Sequence, residues 1–193
     1  MSLYDSAALI RRSFIGLLAI KPYSKISFTE LAKTSGMSRQ NLYNYYRSKE
    51  ELVKEVIEDQ FDYMFGEFEK LPVKISLKDC HRFVFSVCCM LIRNKQVAKA
   101  LLVHNDFDVV FANYTIFVKR SFGHIVRKRQ RLVCDEEYFN YLSLQFSAAA
   151  FYSVQAWVRR DMSWPAERYA NMLSKTLYGT IELLDECSSD HKP

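Results

Sequence analysis

Four side chains within six residues, Arg39, Gln40, Asn41 and Asn44, can each make paired hydrogen bonds to a flat edge that carries donors and acceptors. The base edges in the major groove of double-stranded DNA have that chemistry. Arginine matches guanine O6 and N7, while asparagine and glutamine match adenine N6 and N7. Tyr43 and Tyr45 bring hydroxyls suited to phosphate oxygens, and Lys49 adds a charge. Thr29 and Ser38, at the starts of two short helices, complete the candidate DNA-binding set. An ordinary surface helix can hold similar residues, so the elements that present them decide the reading.

Those elements are legible between Ser27 and Lys54. Thr29-Glu30-Leu31-Ala32 begins a helix after an oxygen-bearing cap, with Leu31 and Ala32 facing inward. Gly36 ends it, because glycine takes the left-handed conformation of a helix stop. Ser38 caps a second helix running to about Tyr45, which Leu42 and Tyr46 anchor on its apolar side. Ser48 caps a third, with Glu51 placed as the partner that reaches back in a capping box. Helix, glycine turn and short helix form a helix-turn-helix, whose second helix enters the major groove.

Gly36, Ser38, Leu42, Tyr43, Tyr46, Lys49 and Leu52, at these spacings and followed by a long helix, resemble the DNA-binding domain of TetR-family transcriptional regulators. The resemblance covers about the first 55 residues and rests on the unusual run LYxxYxxKxxL. Tyr46 stands where the family more often has phenylalanine. Beyond this stretch the resemblance is architectural. It implies a cytoplasmic homodimer that binds a palindromic operator, most often as a repressor released by a small-molecule effector. It also implies a long connecting helix whose shifts change the spacing of the reading heads. Some members act without a small molecule, and a TetR-shaped co-regulator working through a protein partner is the alternative.

Composition agrees with a helical, folded chain. Of 193 residues 49% are hydrophobic and 15% aromatic, while five glycines and four prolines are too few for the turns of an all-β fold. The expected fold is all-α with about nine helices. Residues 1–50 would form a three-helix DNA-binding domain, and 51–193 a helical effector-binding and dimerisation domain joined to it by a long helix. Residues 1–50 hold eight of the 27 Lys and Arg and three of the 22 Asp and Glu, so the formal charge of +5 sits there and the remainder is neutral. That asymmetry is the electrostatic footprint of phosphate contacts. A membrane partner is not expected: the longest mainly apolar run, 83–92, is ten residues, too short to span a bilayer. The chain start lacks a basic-then-apolar leader.

Neither a cofactor nor a metal is expected. Cys80, Cys88, Cys89, Cys134 and Cys187 form no CxxC pair and read as core thiols, with a redox role open for any one of them. Glycine-rich phosphate loops, GxSxG and HExxH are missing from the sequence, and its four histidines show no catalytic spacing, so no catalytic residue and no enzyme is expected.

The remaining helices follow from periodicity and breaks. Tyr4–Ile20 comes first, with Arg11 and Arg12 read as solvated or weakly phosphate-directed. A long helix with acidic positions Glu55, Glu58, Asp59, Asp62 and Glu67 runs from Ser48 to about Leu71, before Pro72. Further helices span Leu77–Arg93, Lys95 to about His104, and Asp106 to about Arg131, the last with a break near Gly123. Its basic end reads as pairing with the acidic long helix or as a solvated face, rather than as a second DNA contact.

Two final helices, 138–160 and one after Pro165, form an antiparallel hairpin. Apolar residues on more than one face ask for a second copy and a four-helix bundle about a two-fold axis. Phe146, Ala150, Val154, Leu173, Leu177, Ile181 and Leu184 are the expected dimer interface. A dimer would place two reading helices about 34–36 Å apart on a palindrome. For a ligand pocket inside the bundle, His81, His104, Asn113, Tyr114, Phe117, Tyr141, Gln145, Tyr152 and Trp157 are the candidates.

Overall fold

The computed structural model describes residues 3–103, 107–129 and 135–187. Among them are nine α-helices and no strand: α1 (Leu3–Ile20), α2 (Phe28–Thr34), α3 (Arg39–Tyr45), α4 (Lys49–Glu69), α5 (Leu77–Arg93), α6 (Lys95–Leu102), α7 (Phe107–Lys128), α8 (Glu136–Arg159) and α9 (Ala166–Cys187). His104, Arg131 and Cys134 fall outside the described residues. Expected bounds hold to within a few residues. The exception is Gly123, through which α7 continues unbroken.

Local signals start most helices. Ser27, Ser38 and Ser48 each accept a hydrogen bond from the backbone N–H three residues on, satisfying an orphan donor of the first turn. Glu51 reaches back as expected, but its carboxylate accepts from the backbone of Arg47, one residue before the cap. A full capping box stands instead at Ser76 and Asp79, opening α5.

Two cores result. The head core joins Ile10, Phe14 and Leu17 of α1 to Leu31, Leu42 and Tyr46, and continues into α4 through Leu52, Val56 and Ile57. It also takes Ala100 of α6, so α6 lies against α1. The body core joins the rest of α4 to α5, α7, α8 and α9, with α5 packed along α9 and α7 between α4 and α8. Trp157 stacks on Tyr169 at 4.5 Å and donates to the carbonyl of Trp164 at 3.0 Å, closing the α8–α9 hairpin. Cys80 and Cys88 are core residues, and burial pushes their thiols up to about 12.

Charged residues fasten α4 at both ends. Arg11 of α1 bonds Glu55 and lies 3.1 Å from Asp59, so it is a structural clasp rather than a solvated group. Its guanidinium also donates to Tyr46 Oη at 3.3 Å. The hydroxyl that distinguishes Tyr46 from phenylalanine thus has a partner; burial pushes it up to about 12. At the far end, Lys128 of α7 donates to the carbonyls of Glu69 and Leu71, at 3.2 and 2.7 Å. A cation there suits the negative end of the helix dipole. Arg120 pairs with Asp62 and Arg129 with Asp185, so the basic end of α7 is used within the fold.

The expected dimer residues are a correction. Phe146, Ala150, Leu177, Ile181 and Leu184 are buried in this chain's own core, and Val154 and Leu173 line an internal cavity. The most apolar stripe of each helix closes the subunit itself, because core burial makes the strongest periodic signal. The outward faces carry Tyr141, Leu144, Ala149 and Tyr152 on α8 and Met172, Thr176 and Leu183 on α9.

Candidate nucleic-acid interface and internal cavity

Backbone chemistry aims α3 outward. Gly36 adopts φ +68°, which lets the Met37 N–H bond the Ala32 carbonyl at 2.9 Å and the Gly36 N–H bond the Lys33 carbonyl at 3.2 Å. This pair of bonds is a Schellman stop, and any residue with a Cβ would be strained there. Below the turn, Leu42 is fully buried, an anchor that contributes about 2 kcal/mol through apolar burial.

Opposite that anchor, Arg39, Gln40, Asn41 and Asn44 are all exposed, as are Thr29, Ser38 and Tyr43. The seven-residue α3 therefore holds its base-matching side chains on an open face. Tyr43 lies flat on Phe28 at 5.0 Å between ring centroids, and its hydroxyl accepts from Arg39 at 3.3 Å. Phe28 thus supports Tyr43, and Tyr43 supports Arg39. A stacked support lowers the entropy lost when the guanidinium is fixed on a base.

Two expected phosphate contacts are engaged within the protein. Tyr45 is half-buried against the head core. Lys49 sits 4.4 Å above the ring of Tyr23 and donates to its carbonyl at 3.3 Å, while the Tyr23 hydroxyl donates to Glu50 at 2.8 Å. These contacts tie the short turn Tyr23–Lys25 to the start of α4. Among the other basic residues, Lys21 pairs with Glu30, whereas Arg12, Lys25, Lys33, Arg39 and Arg47 are exposed.

The body holds a cavity of about 150 Å³ between α4 and α9. Gln60, Phe61, Met64 and Phe68 of α4 line it, with walls from α5 to α9. Of the nine expected pocket residues, Tyr114 and Phe117 are in the wall. His81 lies outside it, 3.3 Å from Glu167. Trp157 is spent on the hairpin, Asn113 is half-buried outside the wall, and Tyr141, Gln145 and Tyr152 face outward. Polar residues were the wrong guide: the wall is almost wholly aliphatic and aromatic, and its residue types are those of a filled core.

An open reading helix on a buried anchor, behind a Schellman turn, defines a helix-turn-helix DNA-binding protein. Residues 15–56 match the family described as bacterial regulatory proteins, tetR family. That match covers the helix-turn-helix and the start of α4, and over its length the chain has the fold of solved TetR-family transcriptional regulators. A tetR-family transcriptional regulator from Streptomyces coelicolor aligns with a TM-score of 0.69 at 12% identity, covering 100% of this chain and 92% of that one. The dihydroxyacetone kinase operon activator DhaS aligns with a TM-score of 0.65 at 15% identity, over 93% and 97%. The TetR family repressor AlkX from Dietzia aligns with a TM-score of 0.60 at 12% identity, over 91% and 97%. No curated protein matches the chain by sequence. TetR-family regulators are non-enzymatic DNA-binding proteins. No helix among the described residues is long and apolar enough to cross a membrane.

Proposed function

We propose that this protein is a homodimeric repressor that binds a palindromic operator and is released by a small molecule bound in the body. Arg39, Gln40, Asn41 and Asn44 read bases, and Thr29, Ser38 and Tyr43 reach the backbone. The division at residues 50 and 51 is one of roles, since the head core runs on into α4.

One observation carries the reading. Ile57 of α4 belongs to the head core and also lines the cavity, so one side chain touches both. A ligand that displaces the wall at Ile57 displaces the floor of the reading head. An activator and a repressor share this fold, so the sign rests on family habit.

The second copy docks on the outward faces of α8 and α9, where Tyr141, Leu144, Ala149, Met172 and Leu183 are exposed. The test is selection of operator fragments from genomic DNA, followed by titration with purified protein at two salt concentrations. A palindrome bound by two chains, with steep salt dependence, is expected. Equal affinity for random DNA would sink the reading. Leu144→Glu is expected to give a monomer in sedimentation and to lose operator binding; an unchanged dimer would move the interface elsewhere.

A further inference from the structure

Among the described residues, the wall of the cavity contains no Lys, Arg, His, Asp or Glu. Its polar members are Gln60, Asn94, Tyr114 and Ser121. The Asn94 amide already donates to the carbonyl of Met90 at 3.1 Å. Ser121 differs. The residue lines the cavity, and its side-chain oxygen is buried with no hydrogen-bond partner among the described residues. Ser35, Ser147 and Thr180 show the usual helical outlet, each donating to the carbonyl four residues before it. Ser121 does not take that outlet. A buried hydroxyl without a partner is destabilising, so a partner that arrives with a ligand is favoured.

From these observations we infer that the cavity binds a compact, uncharged, largely hydrocarbon ligand with one polar group, a carbonyl or hydroxyl, held by Ser121. This names the effector class and rests on the proposed function. An ionised ligand is selected against, because a carboxylate moved into this wall would lose its hydration with no cation among the described wall residues to replace it. Size follows from volume: an apolar cavity of roughly 150 Å³ stays dry and accepts a molecule of about the size of benzene. Met64 and Met90, both in the wall, can shift rotamers to accept a somewhat larger one.

Three molecules of nearly one shape separate the determinants: acetophenone (ring plus carbonyl), ethylbenzene (ring alone) and benzoate (ring plus charge). Binding to the full-length protein is followed by calorimetry, and operator release by fluorescence anisotropy. Acetophenone is expected to bind most tightly, ethylbenzene about fivefold more weakly for want of one hydrogen bond, and benzoate more weakly than either. Ser121→Ala is expected to remove the difference between acetophenone and ethylbenzene while leaving the apo protein at least as stable as before, since it deletes an unpaired buried group. Benzoate binding as well as acetophenone, or an unchanged preference in Ser121→Ala, or no binding of any of the three, overturns the inference. Acetophenone that binds as expected but leaves the operator complex intact supports the ligand class and overturns its role as effector.

Discussion

The head and the body are made from the same apolar residue types, yet one is filled and the other hollow. In the head, Ile10, Phe14, Leu31, Leu42 and Leu52 are all fully buried around short helices. In the body, larger helices carrying Phe61, Phe68, Phe83 and Phe117 meet around about 150 Å³ of open space. Long helices crossing one another cannot all approach closely, and bulky aromatic residues hold them apart instead of filling the gap. The difference teaches where each half keeps its chemistry. The head works with its outer surface and needs a rigid interior. The body's distinguishing feature is inside.

The largest expected effect compares the two interiors directly. Leu42→Ala should cost about 2–5 kcal/mol in chemical denaturation, because the filled head cannot collapse around the gap. Leu173→Ala, in the wall of an existing cavity, should cost clearly less. Equal losses would erase the distinction between filled and hollow.

Arg39→Ala should leave stability unchanged and cost about 1–3 kcal/mol in operator binding, with relaxed preference at one base pair. Competition between operator and single-base variants measures it. An unaltered preference would remove Arg39 from the reading set.

Ser38→Ala deletes the cap of α3 and should cost about 1 kcal/mol of stability. The thermal midpoint is the readout, and no shift would mean that solvent replaces the cap.

The smallest effect lies in the body. Asp161, left-handed at φ 60°, is held by Lys95 and Lys99, which bond its carboxylate and lower it from 3.8 to about 2. A lowered folded value means stability present above pH 3.8 and lost as pH falls towards 2. Asp161→Asn tolerates the same backbone and removes the charge. The variant should be slightly less stable near neutrality, and the difference should vanish on acidification through that window. A difference that persists to pH 2 would assign the effect to packing.

Much of the head was legible in the sequence because its signals are local. Gly36 needs its positive φ whatever surrounds it, and Ser27, Ser38 and Ser48 cap helices within three residues of themselves. Contacts distant in sequence were not legible. Nothing in the neighbourhood of Lys49 announces the Tyr23 ring, and Arg11 reads as a surface cation until Glu55 and Asp59 are placed beside it. The cavity left the weakest trace, since Phe68, Val84 and Leu101 look alike whether the space before them is filled or empty. The dimer stripe failed for a related reason. Periodicity finds the face most in need of cover, and α8 and α9 cover each other's neighbours within one chain.

Four helices of the body reach the head core, α7 through Val110 and α8 through Phe151 among them, and two of the four can be compared as legs. One is α4, which carries Ile57. The other is α6, whose Ala100 meets the head core while Ala98 and Leu101 face the cavity. Pushing one leg alone would tip the head and turn α3 in its groove; pushing both alike would slide it sideways at constant tilt. Tipping spoils base contacts within a half-site, whereas sliding spoils the spacing between half-sites. Operators with one base pair added or removed at the centre would tell the two apart, because only a sideways shift can be offset by a change in spacing.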